Sequence, residues 1–531
     1  MPSCVTLLSI TTCFDFCGTY SILMTKPLNI AKIEIIMALL HVTTTMSIKP
    51  TWLGVSYADH QEFGINWMLH QESDGYQIPK TDHYVRGGIL GDEMGLGKTI
   101  QSLALIINSP AKSTLIITPL AVRKQWEDAA TKCNLNIYVA DKTIWKSLTS
   151  IKPSRQTLYL AHYDKVVNDI SLFLGIKYDR IILDEAHRIR NYKSSTGINV
   201  LRLRARYKWA LTATPIVNSL DDAVTYLKFI GFPIDSTSGK WRDSYEPWIR
   251  GTYLARTLDQ CEAPAGLTMP PDPEINTRLL DFTSKDEETI YTGIYENLES
   301  QWRKAQASSG KSAMLAKFSI LLRLRQVSVN PQIYIKARDK EEDGWNGPRF
   351  QNSSRKFDEI SHLLRDAFEA KETHRWIIFC QFHEEMQMLS DFLKAFPFVG
   401  NVLQYHGGMS LKARNEELES SKKIASDGKQ DVFLIQLQAG GTGLNLQHYD
   451  RIIFTSPWWT AALLDQALGR AVRIGQKNIV KVYWLKLRVE GKFSIDDFIM
   501  DKANMKRDMG LKFLSWAVGR DEMEYELEDE I

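Results

Sequence analysis

The segment from Asp92 to Thr99 constrains this chain more than any other, because it reads Asp-Glu-Met-Gly-Leu-Gly-Lys-Thr directly after a short apolar run. A strand, a glycine-rich turn and a helix in this order predict a phosphate-binding loop. Gly95 and Gly97 let backbone N–H groups point at phosphate oxygens, and the start of the next helix adds its positive dipole. We expect Lys98 to reach the β- and γ-phosphates of a nucleoside triphosphate and the hydroxyl of Thr99 to hold Mg²⁺.

A second motif, Asp184-Glu185-Ala186-His187, directly follows the apolar run at 181–183. A carboxylate at the carboxyl end of a strand, beside a phosphate loop, is where Mg²⁺ needs a further protein ligand. Asp184 is therefore the predicted metal ligand, and Glu185 is predicted to orient or deprotonate the attacking water. An acidic turn at the start of a surface helix is the alternative, and the phosphate loop upstream weighs against it.

Short apolar runs alternate with helical patterns in two parts of the chain, and a helical stretch follows proline-rich loops between them. Continuous apolar runs such as 115–117, 181–183 and 432–435 are typical of parallel strands buried on both faces. The fold class predicted is α/β, with two doubly wound parallel-sheet lobes joined by a helical linker region. The predicted regions are an N-terminal extension (1–47), a first lobe (48–235), a helical linker (236–349), a second lobe (350–515) and an acidic tail (516–531).

The first 45 residues are apolar, poor in charge and unlike the rest of the pattern. They lack the basic start of a signal peptide, and their uncharged runs are shorter than the ~18–20 residues of a membrane-spanning helix. We interpret them as a dispensable extension, with Met46 as a candidate start, and we expect neither secretion nor a membrane partner.

Net charge and cysteine content constrain the function of the chain less than the motifs do. The net charge of +2 does not by itself indicate a nucleic-acid binder. The last eleven residues hold seven acids and no base, which predicts a solvated tail and leaves a partner-binding role open. Six cysteines without paired Cys-x-x-Cys spacing favour a reducing compartment and no disulfide framework.

The order of the motifs resembles the Swi/Snf-type branch of helicase superfamily two, whose DNA-translocating ATPases have two RecA-like lobes and a DEAH box. The resemblance spans about residues 48–510. It covers the phosphate loop, including Asp92 where the general pattern has a glycine, and an upstream glutamine motif at 60–67. It implies that Gln61 reads adenine, and that the nucleotide is bound by Gln61, Asp92, Met94, Gly95, Leu96, Gly97, Lys98 and Thr99.

Other blocks resemble DNA-facing motifs of that branch. They begin at Thr118 with Trp126 downstream, and continue through 438–446 and 457–459. Ser456 replaces the usual aspartate, and a core role for one of the adjacent tryptophans stays open. The resemblance implies DNA contacts by Thr118, Trp126, Gly440, Gly441, Thr442, Asn445 and Trp458.

Residues 466–476 resemble the arginine-finger helix of the branch. Arg470 and Arg473 are three positions apart and share one helix face, from which they can stabilise charge developing on the γ-phosphate. Because they lie in the other lobe from Lys98, catalysis is expected to require lobe closure. Residues 211–215 resemble the segment that couples hydrolysis to this movement, which implies coupling roles for Thr212, Thr214 and Gln466.

The leading hypothesis is an ATP- and Mg²⁺-dependent translocase on double-stranded DNA that remodels protein–DNA complexes in chromatin, repair or transcription. Its DNA contacts would be chiefly to phosphates. The alternatives are a strand-separating DNA or RNA helicase and a catalytically inactive DNA-binding scaffold, which the intact phosphate-site residues disfavour. Nucleosomes or other DNA-bound proteins are candidate partners, a monomeric motor is favoured, and the expected location is the nucleus in a eukaryote and the cell interior otherwise.

Overall fold

The computed structural model describes residues 13–14, 20–21, 48–79, 81–149, 156–219, 221–234, 249–263, 267–341, 344–423, 428–440 and 444–517, with backbone alone at 411, 440 and 511–517. The chain divides into two compact units, Met1–Ser47 and Ile48–Ile531. In the first unit an antiparallel pair joins Cys13–Phe14 to Tyr20–Ser21. The rest of the predicted N-terminal extension, and the predicted tail beyond residue 517, lie outside the described residues.

An eight-stranded sheet forms the first lobe, in the order β8-β1-β7-β6-β2-β5-β3-β4. Every neighbouring pair is parallel except β3 and β4. Along β6, Ile181 and Leu183 join one hydrophobic core while Ile182 joins the other, so the sheet is buried on both faces. The strands are β1 (Gly87–Leu90), β2 (Ser113–Thr118), β3 (Asn136–Asp141), β4 (Ile144–Ser147), β5 (Thr157–His162), β6 (Arg180–Asp184), β7 (Tyr207–Leu211) and β8 (Tyr253–Leu254).

Helices flank this sheet on both sides, and two short strands, Tyr76–Gln77 and Tyr84–Val85, form a separate ribbon. A 3₁₀ turn at Ala186–Ile189 follows β6. The helices are α1 (Asp59–Ser73), α2 (Lys98–Asn108), α3 (Leu120–Thr131), α4 (Tyr163–Asn168), α5 (Ile170–Leu174), α6 (Ser195–Arg202) and α7 (Asp222–Ile230).

The second lobe contains a six-stranded, wholly parallel sheet in the order β9-β14-β13-β10-β12-β11. Successive residues of β10 again pack into different cores, Ile377 in one and Ile378 in the other. The strands are β9 (Glu274–Leu280), β10 (Arg375–Cys380), β11 (Val399–Tyr405), β12 (Gln430–Gln436), β13 (Arg451–Phe454) and β14 (Lys481–Leu487). The helices are α8 (Lys285–Gln306), α9 (Lys311–Val329), α10 (Pro331–Arg338), α11 (Arg355–Glu369), α12 (His383–Lys394), α13 (Leu411–Ser420), α14 (Leu437–Gly440), α15 (Ala461–Leu468) and α16 (Ile495–Ala517).

The predicted α/β class with two parallel-sheet lobes is confirmed. No helix within the described part of the chain is both long and apolar enough to cross a membrane. The segment 236–349 contains the expected helices α8 to α10, but it also supplies an edge strand to each sheet. β8 pairs with β1, and β9 pairs with β14 along its whole length. Neither edge strand has an apolar run of the kind that predicts a buried strand, since β8 has two residues and β9 is largely exposed.

The first turn of α8 packs against the second lobe through a buried carboxylate. Glu287 is 3% exposed, and its Oε2 accepts a 2.9 Å hydrogen bond from the backbone N–H of Arg355. Burial raises the pKa of Glu287 to about 7 from 4.5. The folded state therefore binds a proton at Glu287 more tightly than the unfolded state does. As a result, protonated Glu287 contributes most to the free energy of unfolding below pH 4.5. Its stabilising contribution is lost as the pH rises from 4.5 through 7.

Glu287→Gln keeps an acceptor for Arg355 and removes this ionisation. We expect the variant to melt at a higher temperature than the parent protein at pH 8 and at nearly the same temperature at pH 5. The shift of the pKa corresponds to about 3 kcal/mol at most. Thermal melting at the two pH values tests this, with Glu288→Gln, at an exposed neighbouring position, as the control. Equal effects of both substitutions at pH 8 would contradict it.

Candidate functional site

The phosphate loop lies between the end of β1 and the start of α2, at the carboxyl edge of the first sheet. Gly95 and Gly97 have φ angles of +92° and +84°, in the left-handed region that favours glycine. A side chain at Gly97 would also collide with Gln61, because an added Cβ would lie 2.5 Å from the Nε2 atom. The backbone path therefore requires these glycines, and α2 begins at Lys98, where first-turn N–H groups are unpaired within the helix.

Lys98 is folded back on the loop. Its Nζ donates to the carbonyl oxygens of Asp92 at 2.6 Å and Glu93 at 3.2 Å. Burial lowers the pKa of Lys98, while the nearby carboxylates of Glu185, Asp92 and Asp184 act in the opposite direction. The ammonium group thus lies among carbonyl acceptors whose place a phosphate oxygen can take.

Asp184 ends β6, and its carboxylate accepts three hydrogen bonds. Oδ2 accepts from Trp126 Nε1 at 2.7 Å and from Thr118 Oγ1 at 3.1 Å. Oδ1 accepts from the backbone N–H of Glu185 at 3.1 Å. Burial, followed by the charge of Glu185, raises the pKa of Asp184 to about 6. A bound divalent cation would favour the ionised form of this fixed carboxylate.

Thr118 and Trp126, which are predicted to contact DNA, both contact Asp184 in this structure. The exposed fraction is 0% for Thr118 and 1% for Trp126, and both side chains donate to Asp184. The physical reason is that a buried carboxylate must be satisfied by hydrogen-bond donors. The end of β2 and the helix after it supply these donors at the same sheet edge. The two side chains thus position Asp184 in this structure, and their contact with DNA stays a prediction.

Glu185 has a φ angle of +52°, an uncommon conformation for a residue other than glycine. Its Oε2 lies 3.4 Å from His187 Nδ1, and its Oε1 lies 4.0 Å from Arg470 Nη2. Burial lowers the pKa of His187 to about 4, so the imidazole is neutral at pH 7. Strained backbone of this kind clusters at functional sites, and here it directs the carboxylate toward the second lobe.

Arg470 and Arg473 bring positive charge from the second lobe to the phosphate loop. The predicted helix face is wrong, because α15 ends at Leu468 and both arginines lie in the turns that follow it. Arg470 is 7% exposed, and burial lowers its pKa to about 10. The backbone of Arg473 borders Gly95, since a Cβ added to that glycine would lie 3.7 Å from Arg473 Cα. The lobes therefore contact each other at the phosphate loop in this structure.

A cavity of about 280 Å³ joins these groups, close to the lower end of the roughly 300–1,000 Å³ of ligand pockets. Thr99 and Asp184 offer the oxygen ligands that Mg²⁺ prefers. The glycine-rich turn and the three cationic side chains suit a triphosphate, so the residues present fit ATP and Mg²⁺. The predicted residues that line the cavity are Met94, Gly95, Gly97, Lys98, Thr99, Trp126, Asp184, Glu185, Arg470 and Arg473.

Three predicted nucleotide-binding residues do not line this cavity. Gln61 donates through Nε2 to Leu96 O at 3.3 Å and accepts through Oε1 from Ala58 N at 3.2 Å. The side chain of Leu96 is buried. The carboxylate of Asp92 is also buried and forms an ion pair with Arg256. In this structure Gln61, Asp92 and Leu96 support the loop on the side away from the cavity. Their contact with a nucleotide stays a prediction.

A larger groove of about 740 Å³ runs between the lobes, and three of the predicted DNA-binding or coupling residues, Thr214, Trp458 and Gln466, line it. Gln466 Nε2 donates to Thr214 Oγ1 at 3.4 Å across the lobes. The backbone N–H of Thr214 in turn donates to the hydroxyl of buried Thr212 at 3.2 Å. The predicted coupling residues thus form one chain of contacts from β7 to α15.

The other residues predicted to contact DNA are Asn445, Gly440, Gly441 and Thr442. Asn445 is exposed, accepts a 3.4 Å hydrogen bond from Gln447 N, and lines neither cavity. Gly440 ends α14. Gly441 and Thr442 lie outside the described residues.

Several residues of the site have no signal in the sequence. The groove is lined by three arginines and one aspartate, namely Arg188, Arg190, Arg414 and Asp164. Arg188 belongs to the block that begins at Asp184, but nothing in that pattern assigns it to the groove. Arg256 lies in no motif, and only the pairing of β8 with β1 brings it to the phosphate loop.

Comparison with known proteins agrees with this geometry. Residues 60–333 match the SNF2-related domain, and residues 355–475 match the helicase conserved C-terminal domain. A probable global transactivator of Orgyia pseudotsugata multicapsid polyhedrosis virus is 25% identical, over 88% of this chain and 92% of that protein. The DNA repair protein RAD5 of Candida glabrata is 25% identical, over 83% of this chain and 55% of that protein.

The nuclear protein STH1/NPS1 of Saccharomyces cerevisiae is 26% identical, over 87% of this chain and 35% of that protein. The chain therefore spans most of the viral relative but only about half or a third of the two yeast proteins. A solved Sulfolobus solfataricus SWI2/SNF2 ATPase core in complex with double-stranded DNA is 21% identical, covers 89% of this chain and 99% of its own, and has a TM-score of 0.35. With the family match over more than half of the chain and the motifs gathered at one seam, the chain belongs to the SNF2 family and is a helicase-like, DNA-dependent ATPase.

Proposed function

We propose that this chain is an ATP-dependent translocase on double-stranded DNA that remodels protein–DNA complexes. The observation that carries the proposal is that both lobes line both sites, the phosphate-loop cavity and the larger groove. A change in lobe separation must therefore alter the two sites together. Relatives named for DNA repair and for a chromatin structure-remodeling complex support a DNA or chromatin substrate, and a nuclear location in a eukaryotic host.

The residues of the cavity have separable roles in this proposal. Lys98 and the loop N–H groups hold the phosphates of ATP, and Thr99 with Asp184 holds Mg²⁺, which supplies charge neutralisation when bound. Glu185 orients the attacking water and accepts its proton. Arg470 and Arg473 stabilise the charge that develops during transfer. Since Glu185 and Arg470 are only 4.0 Å apart, turnover requires the arginine to exchange this carboxylate for phosphate oxygens.

The groove has the composition of a surface that contacts a phosphate backbone. Arg188, Arg190 and Arg414 outnumber the single acid, Asp164, among its lining residues. Contacts of this kind carry little sequence information and weaken steeply with salt. Trp458 is an aromatic residue that also lines this groove. Translocation would follow from lobe movement transmitted through the hydrogen-bonded chain of Thr212, Thr214 and Gln466.

The test of substrate is ATP hydrolysis measured with duplex DNA, single-stranded DNA and RNA side by side. We expect duplex DNA to stimulate hydrolysis most, and the stimulation to fall as the salt concentration rises. Displacement of a triplex-forming strand should accompany it, whereas a forked duplex should stay paired. Efficient fork opening would favour a strand-separating helicase instead. Absence of hydrolysis at saturating duplex would favour an inactive scaffold.

Three substitutions test the cavity. Lys98→Ala should weaken nucleotide binding and abolish turnover, and Glu185→Gln should retain nucleotide binding without turnover. Arg473→Ala should lower kcat by roughly 10³-fold, as loss of an arginine finger does elsewhere. Arg303→Ala is the control, because that arginine is 75% exposed and pairs only with Glu299 on α8. Normal hydrolysis by the Arg473 variant would show that the second lobe does not complete the site.

Trp126→Phe tests the support of the metal ligand. The substitution keeps an aromatic ring in the core and removes the N–H that donates to Asp184 at 2.7 Å. Loss of such a partner of a metal ligand typically costs about 10–100-fold in metal affinity or activity. We therefore expect half-maximal ATPase activity to require a correspondingly higher Mg²⁺ concentration. Trp145→Phe, whose indole donates to Leu172 O in the same lobe, should leave the Mg²⁺ dependence unchanged.

A further inference from the structure

Arg256 lies just beyond β8 and contacts three separate parts of the nucleotide site. Its Nε donates to Asp92 Oδ1 at 2.9 Å and its Nη2 to Asp92 Oδ2 at 2.5 Å, a bidentate pair. Nη2 also donates to Gln101 Oε1 at 3.1 Å, and Nη1 donates to the carbonyl oxygen of His60. Arg256 therefore links the phosphate loop to α2 and to the helix α1 that carries the glutamine motif.

The residues around Arg256 leave space for its guanidinium group. A Cβ added to Gly64 would lie 2.7 Å from Arg256 Nη2 and 2.1 Å from Gln101 Oε1, so α1 carries a glycine where the guanidinium group passes. Asp92 is fully buried and Arg256 is 12% exposed at the side chain. Gln101 Nε2 donates to Asp92 Oδ2 at 3.0 Å, which completes the coordination of the carboxylate.

The backbone around Arg256 follows the entry to the phosphate loop. Gly91 N donates to Leu254 O at 2.7 Å and Glu93 N donates to Arg256 O at 2.8 Å. Leu258 N donates to the side chain of Glu93 at 2.7 Å. The segment is thus fastened to the loop by backbone and side-chain hydrogen bonds on both sides of Asp92.

The same stretch of chain then reaches the second lobe. Thr268 O accepts a 2.8 Å hydrogen bond from Gly475 N, two residues after Arg473, and β9 begins at Glu274. We infer that Arg256 is a positioning residue for the phosphate loop, and that the described stretches 256–263 and 267–268, together called the connector, contact that loop at one end and the arginine-bearing segment of the second lobe at the other. This inference rests on the proposed function, because it concerns the same nucleotide site.

The energetic reason centres on Asp92. A buried carboxylate that loses its cationic partner is strongly unfavourable. Without Arg256, Lys98 is a cation close to this carboxylate, since its Nζ already contacts the carbonyl oxygen of Asp92 and its charge interacts with the Asp92 carboxylate. Lys98 would then neutralise the aspartate at the expense of the phosphates. Arg256 thus keeps the loop lysine available to the nucleotide.

The first test compares Arg256→Met, Arg256→Lys, Asp92→Asn and the double variant Asp92→Asn/Arg256→Met. We expect Arg256→Met to raise the KM for ATP and the Kd for N-methylanthraniloyl-ADP by about tenfold or more. Arg256→Lys should have a smaller effect, since it keeps the charge and loses the bidentate pair. The double variant should bind the labelled ADP more tightly than Arg256→Met, because it no longer contains an unpaired carboxylate. Arg303→Met, at a position of α8 where the side chain is 75% exposed, is the matched control.

These variants separate a positioning role from a purely structural one when affinities are compared only among variants that are fully folded at the assay temperature. Far-UV circular dichroism and thermal melting establish which variants meet that condition. Wild-type KM and Kd in Arg256→Met, or a double variant no better than Arg256→Met, would overturn the inference. If the parent chain itself fails to hydrolyse ATP with DNA, the proposed function fails instead.

The second test lengthens the connector by two glycines between Cys261 and Glu262. This change leaves Arg256 and Asp92 in place but loosens the link to Gly475. We expect the DNA-stimulated kcat to fall by at least about threefold, since finger placement acts on the transition state, with the KM for ATP nearly unchanged. The same insertion between exposed Pro348 and Arg349 is the control. An unchanged kcat would overturn the coupling role of the connector.

Discussion

Opposite charges meeting at one seam are the constraint on which the architecture depends. The first lobe supplies buried carboxylates at Asp184 and Glu185 together with Lys98, and the second supplies Arg470 and Arg473. Four of these groups are poorly solvated, since burial shifts the pKa of Asp184 upward and those of Lys98 and both arginines downward. Such a set is electrostatically satisfied only when the lobes are together or when a charged ligand separates them. The same charged groups therefore hold the lobes in contact and form the nucleotide site.

Parallel sheets provide the geometry that makes this possible. The carboxyl ends of β1, β2, β6 and β7 lie along the same edge, so four segments distant in sequence deliver the phosphate loop, Thr118, Asp184 and Thr212 to one place. The edge also creates a requirement, because a carboxylate buried there needs donors. Thr118 and Trp126 meet that need. Residues that resemble a DNA-contacting motif are thus recruited to hold the acid.

The route of the chain between the lobes adds a second level of organisation. Two strands from the intervening segment, β8 and β9, join different sheets as edge strands. The crossing from one lobe to the other consequently passes the phosphate loop at Arg256 and the arginine segment at Thr268 before it enters the second sheet. These two contacts are the basis for the proposed coupling role of the connector.

The sequence by itself determined the fold class, the phosphate loop and the acidic motif, because each depends on local spacing: glycines that permit positive φ and continuous apolar strands. It also located Arg470 and Arg473, but the turns beyond α15 in which they lie were not predicted. Only the tertiary structure decided which partner each polar group takes. Asp92 pairs with Arg256 at a distance of 164 positions, Trp126 turns toward Asp184, and Arg414 joins Arg188 along one groove. The edge strands β8 and β9, which have no apolar runs, could not be predicted from the sequence either. Burial and ion pairing depend on which distant segments the sheets bring together. The periodicity of apolar residues along the chain does not predict these long-range contacts.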